Sequence, residues 1–204
     1  MRRKDTHFHA VHSFSYVDGS LRCEGIELNQ IADEFGTPAY VYSAGTIREN
    51  YRRLDQALAP LDHLVCYAVK ANSNIAVLNL LAKIGSGFDI VSGGELFRVL
   101  KAGGRADRCT FAGVGKTREE IAYALREGVY SFNVESEGEL ERINDVAGEL
   151  GLKAPVAIRV NPDVDAKTHK FISTGKSKNK CGIGIDRALE VYKVAAALPH
   201  LKIR

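Results

Sequence analysis

Strand-sized apolar runs recur along the chain at a nearly constant interval from residue 64 onward. They begin near residues 64, 87, 109, 131 and 155, at intervals of 23, 22, 22 and 24 residues. The first four are followed by stretches of helical periodicity, at 75–84, 95–102, 118–127 and 137–150, and each stretch is followed by a glycine, as is typical of a left-handed helix cap. The runs themselves cover 64–70, 87–91, 109–114, 131–135 and 155–160. Continuous apolar strands that alternate with helices predict a parallel sheet covered on its faces.

Three of the helix starts share one signature, a hydroxyl residue followed three positions later by glutamate. The pairs are Ser92 with Glu95, Thr117 with Glu120, and Ser136 with Glu139. We expect a capping box at each of them. The repetition of this signal after successive strands strengthens the β/α prediction.

The first 45 residues follow a different pattern. Alternating segments at 13–17 and 20–24 flank Asp18-Gly19, which predicts a hairpin. A short helical pattern at 28–35 is followed by a predicted strand at 39–42 and by a helix from Ser43 to about residue 58. We therefore divide the chain into an N-terminal β-segment, 1–45, and a β/α region, 46–204.

The even spacing favours a (β/α) barrel over a doubly wound sheet. The position after the first strand reads Lys70-Ala-Asn-Ser-Asn74 and not a Rossmann fingerprint. After the fifth run, the sequence predicts a helix from Asp186 to about residue 198 and the start of a sixth strand at 200–204. Since a complete barrel needs about 250 residues, we expect a partial barrel and an N-terminal portion of a longer protein.

Composition narrows the function classes. The 204 residues are 45% hydrophobic and 26% charged, with a net charge of +3. The absence of a long apolar run argues against a membrane span, and the one dense basic run, 176–180, is too short to indicate nucleic-acid binding. The four cysteines form no zinc-ligand pattern, so we expect no metal and a cytoplasmic location, with Cys66 and Cys109 acting as core residues.

Lys70 is the first candidate for chemistry. It ends the apolar run at 64–70, so we expect it at the carboxyl end of the first barrel strand, where barrel enzymes place catalytic residues. An apolar setting disfavours the charged amine and makes it a nucleophile suited to Schiff-base chemistry. The alternative is a lysine that only extends to solvent.

Two further charged residues interrupt apolar strands. Asp89 is expected to face a cation or a hydrogen-bond donor at the barrel mouth. Arg159 suits a phosphate or carboxylate ligand, and a structural ion pair is an equal alternative. The long polar segment that follows, 161–184, is expected to be functional or mobile and contains His169, for which solvation is the simpler interpretation.

Taken together, these segments resemble the fold-type III pyridoxal-phosphate decarboxylases, whose barrel is shared with alanine racemase. The segments that carry the resemblance are Tyr-Ala-Val-Lys-Ala-Asn-Ser-Asn at 67–74, followed by 87–96, 113–117 and 133–136. Residues 159–165, with Thr168, His169 and 172–175, are similar to the diaminopimelate decarboxylase branch in particular. Cys181 departs from the pattern, because relatives usually carry an aromatic residue there.

The resemblance implies a pyridoxal 5'-phosphate enzyme that converts meso-diaminopimelate to L-lysine and CO2. It implies that Lys70 is the point of covalent cofactor attachment and that Asp89 and Arg159 line the cofactor side of the barrel. It also implies that the N-terminal segment joins a second β-domain, that the full-length enzyme is a homodimer, and that this portion alone is inactive. The alternatives are a decarboxylase of another basic amino acid, such as ornithine, arginine or carboxynorspermidine, and a non-catalytic pyridoxal-phosphate carrier or interaction module.

Overall fold

The computed structural model describes residues 13–162 and 182–204. The basic run at 176–180, His169 and Cys181 lie outside the described residues, as does most of the predicted polar segment. The chain forms two compact units, one ending at Val65 and the other running from Cys66 to Arg204. The boundary predicted after residue 45 precedes this division by roughly the length of one helix. No helix within the described ranges is long and apolar enough to cross a membrane.

The first unit contains the predicted hairpin. Strands β1 (Phe14–Val17) and β2 (Ser20–Cys23) pair antiparallel, and β3 (Ile26–Glu27) adds a third strand to β2. Asp18 and Gly19 both have positive φ, at 50° and 81°, as a type I′ turn requires. The hairpin prediction is therefore confirmed, together with its turn.

Two helices follow in the same unit, α1 (Leu28–Phe35) and α2 (Ala44–Leu58). Ser43 caps α2 as predicted, because its side chain accepts a hydrogen bond from Thr46 N. The strand predicted at 39–42 is wrong: these residues form no strand, and Tyr40 is 91% exposed. They pair with no strand of the described unit, so the apolar pattern alone does not produce a strand.

A six-stranded parallel sheet is the centre of the second unit. Its strand order is β11-β8-β7-β6-β5-β4, so each of the first five strands neighbours the next one along the chain. This consecutive order is that of a (β/α) barrel and differs from the reversal found in doubly wound sheets. The strands are β4 (Cys66–Ala68), β5 (Gly87–Ile90), β6 (Cys109–Phe111), β7 (Ser131–Val134), β8 (Ala154–Ile158) and β11 (Leu201–Ile203).

The two faces of this sheet differ in character. Phe88, Phe111 and Phe132 are fully buried, and the last two rings stack with centroids 5.8 Å apart. Each of them is next in sequence to a half-buried residue, which by strand alternation lies on the opposite face; these residues are Asp89, Thr110 and Asn133. One face of the sheet is therefore apolar and buried, whereas the other carries small and polar side chains.

The helices of the second unit begin close to their predicted positions. They are α3 (Ile75–Lys83), α4 (Gly93–Lys101), α5 (Arg118–Glu127), α6 (Glu137–Glu149) and α7 (Ala188–Ala197). The four glycines that follow the first four helices all have positive φ. The cap of α7 is not Asp186 but Arg187, whose side chain forms no capping hydrogen bond.

Only one of the three predicted capping boxes is complete. At α5, Thr117 accepts from Glu120 N and Glu120 accepts from Thr117 N. At α4 and α6 the serine caps the helix, but the glutamate carboxylate reaches one residue further back and accepts from Val91 N or Glu135 N. Each glutamate thereby fastens the helix start to the end of the preceding strand.

A two-stranded parallel ladder completes the unit. Strand β9 (Val160–Asn161) follows β8 after one residue and pairs with β10 (Ile183–Gly184). The intervening residue is Arg159, whose backbone N donates to Val134 O and whose O accepts from Ile183 N. The backbone of Arg159 is therefore held on one side by β7 and on the other by β10.

Candidate functional site

A cavity of about 630 Å³ opens on the polar face of the parallel sheet. Its walls come from five adjacent strands and the turns that follow them. The lining residues are Cys66, Lys70, Asp89, Thr110, Ala112, Asn133, Ala157, Ile158 and Arg159. The three residues singled out from the sequence, Lys70, Asp89 and Arg159, thus lie in one cavity.

Lys70 lies in a short 3₁₀ turn, Val69–Ala71, that follows β4. Val69 is fully buried and anchors the turn, whereas Lys70 itself is exposed. Lys70 thus follows the carboxyl end of β4, close to its predicted position, and lines the cavity. The apolar setting predicted for it is wrong, because the residue is exposed. Asn74 fixes the next helix start by accepting from Ala76 N.

Asp89 projects from the middle of β5, between the buried Phe88 and Ile90. Parallel pairing places it beside Ala68 on one side and Thr110 on the other. Thr110 Oγ1 donates to Asp89 Oδ1 at 3.3 Å, which supplies the predicted hydrogen-bond donor. The carboxylate remains half-buried in the cavity wall, where it can accept a further hydrogen bond.

Arg159 forms the structural ion pair that is one of the two interpretations offered by the sequence. Its Nη1 donates to Glu135 Oε2 at 2.7 Å, so that it forms a structural ion pair. The Glu135 side chain is only 2% exposed, whereas that of Arg159 is 43% exposed and lines the cavity. The guanidinium is therefore held on one side and open on the other, as binding of an anion requires.

A buried group of charges lies behind Arg159, and we call Lys116, Glu135 and Glu139 the Glu135 network. Glu135 Oε1 accepts from Gly113 N at 2.9 Å, and Glu135 N donates to Glu139 Oε2 at 2.8 Å. Lys116 Nζ donates to Glu139 Oε1 at 2.5 Å and to the carbonyls of Gly113 and Asn133. Lys116 and Glu139 are almost fully buried, at 0% and 6% exposure.

The Glu135 network is the part of the site that sequence reasoning missed. Lys116 and Glu135 lie in segments noted as matches to a family pattern, and Glu139 was predicted only to cap a helix. A signal was present, because Glu135 directly follows an apolar strand just as Arg159 does. Whether two such charges on neighbouring strands lie close enough to pair depends on the strand register, and a single sequence does not give the register.

Cys66 differs from the prediction that it is a core residue, since it is half-buried and forms part of the cavity wall. Burial raises the pKa of its thiol, and the nearby Asp89 raises that pKa further, against a smaller opposing effect of Arg108. The thiol is therefore protonated at neutral pH. The charged groups that line the cavity are an amine, a carboxylate and a guanidinium.

Comparison with known families gives a match over most of the chain. Residues 44–204 match the model of the pyridoxal-dependent decarboxylases, specifically their pyridoxal binding domain. A diaminopimelate decarboxylase from Pseudomonas aeruginosa is 59% identical over 191 residues, which are 94% of this chain and 46% of that protein. The corresponding protein from Vibrio cholerae is 55% identical, over 93% of this chain and 46% of its own length.

Solved structures agree with this match. The diaminopimelate decarboxylase from M. jannaschii, crystallised with L-lysine, superposes with a TM-score of 0.86 at 38% identity and covers 94% of this chain. A lysine decarboxylase from Selenomonas ruminantium has the same fold, with a TM-score of 0.72 at 23% identity. The chain spans about half the length of the curated relatives that it matches.

Proposed function

Since this chain belongs to the pyridoxal-dependent decarboxylases through their pyridoxal-binding domain, we propose that it is the cofactor-binding part of a diaminopimelate decarboxylase. The reaction is the loss of CO2 from meso-diaminopimelate to give L-lysine. The observation that carries the proposal is the convergence of Lys70, Asp89 and Arg159 on one cavity inside the matched domain. Relatives at 47% to 59% identity that bear this enzyme's name favour diaminopimelate over ornithine or arginine as the substrate.

The residues present fit pyridoxal 5'-phosphate, the cofactor of this family. The cavity of about 630 Å³ is within the range of small-ligand sites. An amine stands at its rim for covalent attachment, and a half-exposed guanidinium is available for an anionic group. No cluster of metal-ligating side chains competes for the same space among the described residues.

When bound, the cofactor supplies the electron sink that decarboxylation of an amino acid requires. In this proposal Lys70 holds the cofactor covalently, and its flexible side chain on a rigid turn lets the amine leave and return. Asp89, held by Thr110, presents a carboxylate to a cationic group in the cavity. Arg159 follows β8, which lies three strands from β5 and four strands from β4 in the sheet. It therefore orients an anionic group from the wall of the cavity opposite Asp89 and Lys70.

The remaining features belong to the whole enzyme. We propose that the six strands form part of an eight-stranded barrel of the alanine racemase type, and that the first unit contributes to a second β-domain. We further propose that the full-length enzyme is a homodimer. The exposed aromatic residues of the first unit, such as Phe35 and Tyr40, support this, because large exposed apolar side chains mark surfaces that another segment covers.

The test is a CO2-release assay on the full-length protein reconstituted with pyridoxal phosphate. We expect turnover of meso-diaminopimelate and little turnover of ornithine or arginine. Lys70→Ala is expected to lower the rate at least a thousandfold, whereas Lys83→Ala, an exposed lysine on α3, serves as the matched control and leaves it unchanged. Equal rates for Lys70→Ala and wild type would overturn the assignment of Lys70, and preferred turnover of ornithine would overturn the substrate.

A further inference from the structure

The Glu135 carboxylate has two oxygens, and each accepts one hydrogen bond from a different element. Oε1 accepts from the backbone N of Gly113, in the turn after β6, and Oε2 accepts from Arg159, after β8. Glu135 itself follows β7. One carboxylate thus connects the ends of three adjacent strands at the cavity.

The carboxylate is held from behind by a second ion pair. The backbone N of Glu135 donates to one carboxylate oxygen of Glu139, and Lys116 Nζ donates to the other. Lys116 Nζ also donates to the carbonyl oxygen of Gly113, the residue whose N binds Glu135. The resulting ring of contacts joins Gly113, Lys116, Glu139 and Glu135 within a water-excluded interior. With Arg159 added, one lysine and one arginine charge balance two glutamate charges, so these four residues together have no net charge that would itself attract a ligand.

We propose that Glu135 is a positioning residue, which fixes the Arg159 guanidinium so that its open side faces an anionic group bound in the cavity. The inference rests on the proposed function only for the identity of that anion, which is either the cofactor phosphate or a substrate carboxylate. An arginine side chain held in one rotamer loses less conformational entropy on binding than a free one. Correct orientation of the binding group also contributes to the rate of the reaction.

Glutamine at position 135 is the sharpest test of this role. Both atoms that face the carboxylate, Gly113 N and Arg159 Nη1, are donors. The amide of glutamine has only one acceptor oxygen, so its NH2 group must face one of them without forming a bond. Glu135→Gln therefore releases Arg159 or the Gly113 turn while it keeps the side-chain volume.

The matched control is Glu137→Gln. Glu137 lies two residues further along the chain and pairs with Arg187 at 2.7 Å, but its side chain is 41% exposed and does not line the cavity. Loss of an exposed pair of this kind has little effect. Any general effect of removing one negative charge near the strand ends therefore appears in both variants.

The experiment uses the full-length protein, stripped of cofactor. Titration with pyridoxal phosphate, followed by the absorbance of the bound cofactor, gives one dissociation constant, and titration with pyridoxal, which lacks the phosphate, gives another. The KM for meso-diaminopimelate is measured on the loaded protein. If the anion is the cofactor phosphate, Glu135→Gln weakens pyridoxal phosphate binding about tenfold and leaves pyridoxal binding unchanged.

If the anion is a substrate carboxylate, Glu135→Gln raises KM about tenfold with unchanged cofactor affinity. The proposal is overturned if neither quantity changes, or if Glu137→Gln changes them equally. Should Glu135→Gln not fold, Glu135→Asp replaces it, because a shortened carboxylate cannot reach both donors, and at least a threefold effect is expected. The cofactor titrations remain informative when wild type does not decarboxylate meso-diaminopimelate, so failure of the proposed function is distinguishable from failure of this inference.

Discussion

Lys70 follows β4 and Lys116 follows β6 of the same sheet, but the two lysines occupy opposite environments. Lys116 is fully buried, and its ammonium group donates to Glu139 and to two backbone carbonyls. Lys70 is exposed at the rim of the cavity. Because all three donor positions of its ammonium group are filled, Lys116 is fixed in place, as a residue with a structural role is. Lys70 remains the proposed point of cofactor attachment.

Lys116→Met should therefore destabilise the protein strongly. The substitution leaves Glu139 as a buried carboxylate without its cation, and loss of one partner of a buried pair costs about 3–5 kcal/mol. The free energy of unfolding from urea titration measures the effect. Arg118→Met is the control, since its pair with Glu149 is exposed and is expected to contribute at most about 1 kcal/mol. Equal losses for the two variants would contradict the assignment.

The buried thiol of Cys109 makes the free energy of unfolding depend on pH in the alkaline range. Burial raises the pKa of its thiol to about 12, with smaller contributions from Cys66 and Asp107. Between pH 9 and 12 the unfolded chain therefore releases a proton that the folded chain retains. Stability from this group is complete below pH 9 and falls as pH rises, by at most about 1.4 kcal/mol per pH unit.

Urea titrations of wild type and Cys109→Ala between pH 8 and 11 test this dependence. The alanine variant is expected to be less stable at pH 8, because a small cavity replaces the sulfur, but to lose stability less steeply as pH rises. Parallel curves for the two proteins would show that the Cys109 thiol does not contribute.

For single residues, the sequence identifies charged side chains at strand ends as site candidates more reliably than it predicts how buried those side chains are. It identified Lys70, Asp89 and Arg159, and these do share one cavity. It failed to predict that Lys70 is exposed, since the sequence does not show that β4 ends two residues earlier. Burial depends on where the backbone turns, and hydrophobic periodicity leaves such boundaries uncertain by a few residues.

At the element scale, helices α4 and α5 are joined by one side chain. Glu120 Oε2 closes the capping box at Thr117 N, while Oε1 accepts from Gly93 N at the start of α4. Burial opposes ionisation of Glu120, but the two backbone N–H groups outweigh it and lower the pKa of the carboxyl. A negative charge at two helix N-termini is stabilised by both helix dipoles.

Glu120→Gln should destabilise the protein by about 1–2 kcal/mol at pH 7, because glutamine can accept at only one of the two sites. Glu119→Gln, an exposed neighbour in the same first turn, is the control and is expected to change stability much less. The lowered pKa means that the contribution of Glu120 is present above about pH 4.5 and is lost as pH falls further. Thermal unfolding at pH 7 and pH 3 measures this, and a difference between the variants that persists unchanged at pH 3 would contradict it.

The elements themselves were largely predictable. Five strands at regular spacing and the helices between them appear where the apolar periodicity places them, and the sixth strand pairs with the fifth. The failed strand at 39–42 shows the limit of this reasoning, since a strand needs a partner edge as well as an alternating sequence. The two-residue ladder of β9 and β10 was not predictable either, because its partners lie far apart in the chain.

On the scale of the whole molecule, the six-stranded sheet has two edges. Strands β4 and β11 are its outermost members and do not pair with each other within the described residues. The cavity lies on the face that a closed barrel would enclose. The consecutive strand order and the polar inner face together account for a site built along the strand ends.

We expect the 204-residue chain, expressed by itself, to release CO2 from meso-diaminopimelate at roughly 1% or less of the full-length rate. The cavity walls in the described residues come from β4 to β8 and the turns after them. Reactants that are held loosely lose much of the rate gain that correct orientation supplies. Unpaired parallel edges also favour self-association, which size-exclusion chromatography detects. A monodisperse 204-residue chain with turnover near that of the full-length protein would contradict this account.

Reductive trapping of pyridoxal phosphate on the full-length protein tests directly whether Lys70 carries the cofactor. Borohydride treatment followed by peptide mapping identifies the lysine that carries the cofactor. The cavity geometry predicts label on the peptide that contains Lys70, and loss of that label in Lys70→Ala. Label on Lys116 would contradict both the placement of the site and the structural role of the buried lysine.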